Sequence, residues 1–294
     1  MGALPERTIE YNGFITEARR WSSFRHRPDD IFICTPPKCG TTWTQAICAM
    51  LVFGRADIEV QPGNISPWLD ANFMPEAAVN AMLEAQTHRR YLKTHTPLDG
   101  IPYFPECQYL AVFRDPRDAY FSMANHLVNM NLPPDAPPVP RRAETFEEWA
   151  SEPWMPGQAQ QLSLSFVLHH LVTFWNYRHL PNIHLFHYSD LKRDLPSGVR
   201  AMAKAIGVKL DESTIAAIAD AAQFQNMRAK APKFAPGAGT GVWKSETNFF
   251  DKARQGEWRE RISERDSAAY QAMIAKSLSP DCAAWLENGG TLRG

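Results

Sequence analysis

Three short stretches of the chain have residue types and spacing suited to handling an anionic group. The first is Pro37-Lys38-Cys39-Gly40-Thr41-Thr42-Trp43. Gly40 lets the backbone approach a ligand closely. The free amides at the start of a following helix point at one place, and the helix dipole favours an anion there. Lys38 adds a mobile positive charge, and Thr41 and Thr42 add hydroxyl donors. This is phosphate-type chemistry, but not that of the nucleoside-triphosphatase P-loop, whose lysine follows its glycines. Here Lys38 precedes Gly40, and no upstream glycine opens the loop. The second stretch is Lys93-Thr94-His95-Thr96-Pro97. A neutral imidazole can take the proton of an attacking hydroxyl. One histidine among nine says little alone; its place beside Lys93 and downstream of a phosphate turn says more. The third begins at Arg114, whose guanidinium can clamp a phosphate through two hydrogen bonds. Ser122 falls about two helical turns on, facing back toward Arg114. Arg117 and Asp118 read as a local ion pair or helix-start charges.

Each stretch follows an apolar run of strand length. DIFICT (30–35), RYLK (90–93) and QYLAVF (108–113) read as strands, and IHLFHY (183–188) as a fourth. After the first, Trp43, Ile47, Met50 and Leu51 recur at helical spacing. After the third, Asp115 is a good N-cap and Pro116 a good first helical residue, and the helix runs through Asn129. Further helices are expected over 75–86, 158–179, 195–206, 212–227 and 263–286. Strands alternating with helices imply an α/β fold with a P-loop-like parallel β-sheet and helices on both faces. Sites in such sheets lie at the carboxyl ends of the strands, where all three stretches fall. Two irregular segments, residues 131–142 and 228–250, read as lids over the acceptor and the nucleotide respectively. With no repeat and no low-complexity linker, the whole chain, 1–294, is expected to form one domain.

PPKCGTTW closely resembles the 5′-phosphosulfate loop of the cytosolic-type sulfotransferase family, usually Pro-Lys-Ser-Gly-Thr-Thr-Trp, with Cys39 in the serine's place. KTHTP matches that family's Lys-Thr-His-x-Pro segment, and the Arg114-to-Ser122 stretch resembles its 3′-phosphate segment. The resemblance runs from about residue 28 to 286 and marks the chain as a bacterial-like member with the sulfotransferase fold. It implies a co-substrate, 3′-phosphoadenosine 5′-phosphosulfate (PAPS), a product, adenosine 3′,5′-bisphosphate (PAP), and a small-molecule hydroxyl acceptor. In that family the histidine is the base and the lysine assists the transferring group; these roles fall on His95 and Lys93, with Lys38 at the leaving oxygen. Cofactor contacts then fall on Lys38, Cys39, Gly40, Thr41, Thr42, Trp43, Arg114 and Ser122. Since the backbone amide at position 39 is expected to do most of the binding there, cysteine should cost little. Tyr188, in a Tyr-Ser-Asp-Leu version of the family's Tyr-Glu-Asp-Leu/Met, would bond the base, and Phe224 falls where the family packs an aromatic on adenine. Near the C-terminus Gly256-Glu257-Trp258-Arg259 keeps half of the family's Arg-Lys-Gly-x-x-Gly-Asp-Trp-Lys. Upstream, Asp251 and Ala253 depart from it, leaving Lys252 as the 3′-phosphate contact.

The formal net charge of −1 provides no global basic field for nucleic acid or an anionic membrane. No apolar run approaches bilayer length, and the N-terminus does not read as a secretory signal. Five scattered cysteines without metal-type spacing suggest free thiols in a reducing compartment, hence a cytoplasmic protein. No metal is expected, because lysines supply the cations. Apolar residues around Phe121 to Leu132, with Trp149, Trp154 and Phe166, suggest a pocket for a phenol, sterol or lipid alcohol rather than a polysaccharide. Two other readings of the same motifs are a nucleotide-binding relative that has lost transfer, and an enzyme that sulfates an alcohol and then eliminates to give net dehydration.

Overall fold

The computed structural model describes residues 3–59, 61–131, 145–159, 162–250 and 255–292. Four strands, β1 (Ile31–Cys34), β2 (Tyr91–Thr94), β3 (Gln108–Phe113) and β4 (Ile183–His187), form one parallel sheet in the order β2-β1-β3-β4. β1 is apolar at every position and fully buried, as a central parallel strand covered on both faces must be. The two-residue alternation of the strands divides the core. Phe32, Cys34, Tyr109, Ala111 and Phe113 face a cluster completed by the Leu164–Trp175 helix and the C-terminal helices. Ile31, Ile33, Leu110 and Val112 face the helices Thr41–Phe53, Leu195–Ala205 and Glu212–Ala221. This is the expected α/β architecture. The chain goes from β1 outward to β2, then crosses to β3 on the other side, so a topological switch point opens at the carboxyl end of β1.

Several helices differ from their sequence expectation. The segment expected to be helical from residue 158 begins its helix at Leu164, where the Ser163 hydroxyl caps the Phe166 amide at 3.3 Å. The run expected over 212–227 breaks after Ala221 and resumes at Phe224. Neither glycine nor proline causes that break. The carbonyl of the buried Ala222 accepts the Trp43 indole N–H at 2.7 Å, tying the helix end to the phosphate turn. The last run is two helices, Glu264–Ser277 and Pro280–Asn288, separated where Pro280 lacks an amide to continue the ladder. Tyr188 starts a short helix, Tyr188–Arg193, rather than ending the strand before it. Within 228–250 stand two single-turn helices, Ala231–Phe234 and Glu246–Phe249, and the first proposed lid, save Asn131, lies outside the described residues.

At the opposite end of the sheet from the switch point, Arg90 and Asp30 form an ion pair with both side chains fully excluded from solvent (2.8 and 2.5 Å). Asp30 also accepts the Arg27 amide at 2.8 Å, and Arg90 donates to the Arg25 carbonyl at 2.8 Å. Removing one member of a buried pair leaves the other charge uncompensated. Asp30→Ala should therefore lower unfolding stability in urea by about 3–5 kcal/mol.

Candidate active site

The turn after β1 is made by two left-handed residues, Lys38 (φ 66°) and Gly40 (φ 104°). Gly40 is required twice, since a Cβ there would also lie 3.2 Å from Cδ2 of Tyr188. The Cys39 amide donates to the Pro36 carbonyl at 3.3 Å, and the thiol is fully buried against the turn. Burial pushes that thiol up to about 12, which makes it unreactive. The Thr41 hydroxyl bonds Thr35 at 2.5 Å and closes the turn against the strand end. Thr42 and Trp43 border a large cavity, and Trp43 packs edge-on against Tyr188 at 5.3 Å.

That cavity, of about 1380 Å³, lies over the carboxyl ends of the strands. Lys38, Lys93, His95, Arg114, Ser122 and Tyr188 all line it. The Arg114 guanidinium stacks over the Tyr188 ring at 4.6 Å and reaches the Lys38 carbonyl at 3.5 Å. Asp118 stands 3.9 Å from Arg114 and accepts the Gly256 amide at 2.9 and 3.1 Å. Gln255 bonds Ser189 at 2.8 Å. The chain therefore returns to the Arg114 helix immediately after Lys252, which itself lies outside the described residues. Phe224 also lines the cavity. Arg117 is spent in packing: it pairs with Asp115 at 2.9 Å and lies over the Trp258 and Tyr270 rings.

His95 is buried. Its Nδ1 donates to the Thr35 carbonyl, which leaves Nε2 as the ring atom with a free lone pair. Burial, and then Lys93, lower its pKa to about 3, so it is neutral throughout the physiological range. Burial also lowers the pKa of Lys93 to about 8, with Asp70 opposing the shift. Lys93 Nζ lies 4.6 Å from the centre of the Trp68 ring, which meets His95 edge-on at 4.5 Å.

Sequence reasoning missed His126, whose Nδ1 accepts from Lys38 Nζ at 3.2 Å and whose pKa burial, Lys38 and Lys93 together lower to about 3. It stands one helical turn beyond Ser122, the only signal that marks it. Residues 236–250 border the cavity here. Trp243 and Phe249 ring His126 at 4.9 and 5.8 Å, and Lys244 and Ser245 bond the backbone and side chain of Asn129. The apolar part of the cavity also differs from expectation. Phe121, Leu127 and Met130 line it, but Trp149 and Phe166 are core residues and Trp154 stacks on His169 at 3.9 Å. In their place stand Trp68, Phe73 and Met74 from a loop without periodicity, with Phe14 beside them.

Fold and cavity together define an α/β protein with a large cavity at the switch point of its parallel sheet. The sulfotransferase-domain profile matches residues 28–280, and the chain belongs to the sulfotransferase family. A glycolipid sulfotransferase of Mycobacterium bovis is 34% identical over 309 aligned residues, covering 96% of this chain and 94% of that protein. Among solved structures, mouse sulfotransferase SULT7A1 in complex with PAP superposes with a TM-score of 0.70 at 20% identity, covering 92% of each chain. A retinol dehydratase bound to androsterone and PAP gives 0.68 at 21% identity, covering 89% of this chain and 84% of that one. The enzyme is a sulfotransferase, as its motifs imply. Among the described residues no helix is long and apolar enough to cross a membrane.

The burial of His95 and Lys93 predicts the shape of the pH profile. His95 holds its proton-accepting form down to about pH 3, and Lys93 loses its charge above about pH 8. kcat/KM reports the free enzyme. It should be flat from pH 5 to 7 and fall on the alkaline side near 8, with no acid limb near the usual histidine value of about 6.5.

Proposed function

We propose that this enzyme transfers the sulfuryl group of PAPS to a hydroxyl of a small, largely apolar acceptor by direct in-line displacement, with the whole chain, 1–294, acting as one sulfotransferase domain. The observation that supports this most is the convergence, on one cavity, of two lysines, a buried neutral histidine and an apolar wall. The PAP carried by solved relatives of the same fold supports the donor. Arg114 and Ser122 hold the 3′-phosphate, Lys252 adds to it, and Gly40, Thr41 and Thr42 cradle the 5′-phosphosulfate at the helix N-terminus. Tyr188, Trp43 and Phe224 enclose the base.

In the transfer step the acceptor oxygen forms a bond to sulfur as the bond from sulfur to the bridging oxygen breaks. The electron pair of the broken bond stays on the 5′-phosphate of the leaving PAP. His95 Nε2 takes the acceptor's proton. Lys38 stabilises charge on the bridging oxygen and Lys93 on the transferring group, a preorganised arrangement that water would otherwise have to supply. His95 alone in the empty site is a weak base, because burial and the lysines oppose its protonation. The anionic donor offsets both lysines, raising the imidazole's basicity when the proton must move. With lysines as the cations the mechanism needs no divalent metal, and turnover should persist in EDTA. His95→Ala should lower kcat about 10²–10⁴-fold while leaving PAP affinity nearly unchanged in calorimetry. A variant with wild-type turnover would remove His95 from the base role, and equal affinities for PAP and AMP would remove the donor assignment.

For the acceptor, the apolar wall and the glycolipid-sulfotransferase relative support a lipid alcohol over a free sugar. Phe73 is 67% exposed and Met74 44% exposed at the cavity mouth, where an acceptor's apolar chain would cover them. Phe73→Ser should raise the KM of a long-chain alcohol or glycolipid about tenfold or more, from the lost burial of one aromatic side chain, without changing the KM of PAPS. Radiolabelled transfer onto phenols, sterols, lipid alcohols and free sugars ranks the classes. A preference for free sugars would overturn the assignment.

A further inference from the structure

Beside β2 runs a strap, residues 66–71, that has no strand assignment of its own. The Lys93 amide donates to the Pro67 carbonyl at 3.0 Å, the Leu69 amide donates to the Lys93 carbonyl at 3.1 Å, and Trp68 pairs with Lys93 in parallel register. The strap thus continues the sheet past its edge for one residue pair, at the position of the transfer lysine. It brings two side chains to the His95 station. Trp68 lies between Lys93 and His95, as described above. Asp70 lies beneath them and is fully buried.

The hydrogen bonds of Asp70 centre on His95. Its Oδ2 accepts the Thr94 hydroxyl at 2.8 Å, the Thr96 hydroxyl at 2.6 Å and the Trp21 indole at 3.2 Å. The Thr94 oxygen in turn accepts the Thr96 amide at 3.0 Å. The residues on both sides of the histidine are therefore tied to one carboxylate oxygen, while the imidazole is held from the front by Thr35. Asp70 Oδ1 is buried without any hydrogen-bond partner. Burial raises the pKa of Asp70, and the hydrogen bonds from Thr96, Thr94 and Trp21 oppose that shift, so the carboxyl group is held in this cluster by the groups it clamps.

We propose that Asp70 is a positioning residue for sulfuryl transfer: it pins the Thr94–Thr96 loop so that His95 faces the acceptor. The inference rests on the reading of His95 as the base.

The test is Asp70→Leu, which removes the acceptor, measured beside wild type, Asp70→Asn, Thr96→Val and His95→Ala. Asp70→Leu should lower kcat about tenfold or more with PAP affinity retained, as expected for a displaced base. Asp70→Asn, close to isosteric and still able to accept from the threonines, should restore most of that kcat. A purely structural role would lower the thermal midpoint and the active fraction and leave kcat per active site unchanged, and that result overturns the proposal. Thr96→Val removes half of the clamp, which covers the case in which Asp70→Leu does not fold. It should lower kcat about tenfold with the KM of PAPS unchanged; wild-type kcat in this variant would overturn the clamp. If His95→Ala keeps its rate, the base reading fails. If His95→Ala is inactive while Asp70→Leu and Thr96→Val behave as wild type, only the inference about Asp70 fails.

Discussion

The arrangement depends on a backbone constraint: the chain leaving β1 must turn through two left-handed residues before the Thr41–Phe53 helix can start. A non-glycine residue in that region costs of order 1–2 kcal/mol, and Lys38 occupies it. The surroundings hold it there. Cys39 closes back on Pro36, Thr41 on Thr35, and Tyr188 fills the space behind Gly40. Arg114, from the neighbouring strand end, reaches the Lys38 carbonyl and lies on Tyr188, so the two anion-handling stations share one support. The result is a set of amides and cations positioned before any ligand arrives, which is the condition for electrostatic catalysis.

Electrostatics and burial act together on that support. Lysines and histidines face one cavity, and burial is the first cause of the depressed pKa of Lys93, His95 and His126. On the proposed mechanism, an anionic donor beside these groups would make the imidazole more basic and Lys93 more firmly protonated.

The apolar and anionic halves of the cavity come from different parts of the chain. Turns after β1, β2 and β3 supply the charged half, and their places are set by the sheet. The apolar half comes from the 66–74 strap, the Pro116–Asn129 helix and residues 236–250, segments that line one cavity without being strands of the sheet. Variation in the apolar half can thus leave the charged half in place.

The sequence by itself determined the strands, the turn chemistry after three of them, the parallel α/β class and the family. Each of these is local: an apolar run of four to six residues buries as a central strand, and Pro-Lys-Cys-Gly-Thr-Thr or Lys-Thr-His carries its chemistry within a few bonds. Tertiary structure decided which of the local groups remain available and which distant ones join them. Trp149 and Phe166 read as pocket residues until the core takes them. His126 beside Lys38, Trp68 against His95 and Asp70 under Thr94 and Thr96 join residues 24 to 88 positions apart in the chain, through contacts that have no period to read. The helix end at Ala222 has the same origin, because its carbonyl is claimed by an indole 179 residues earlier. Hydrogen bonds and burial between distant segments arise only when the sheet order brings them together, and no local propensity carries that information.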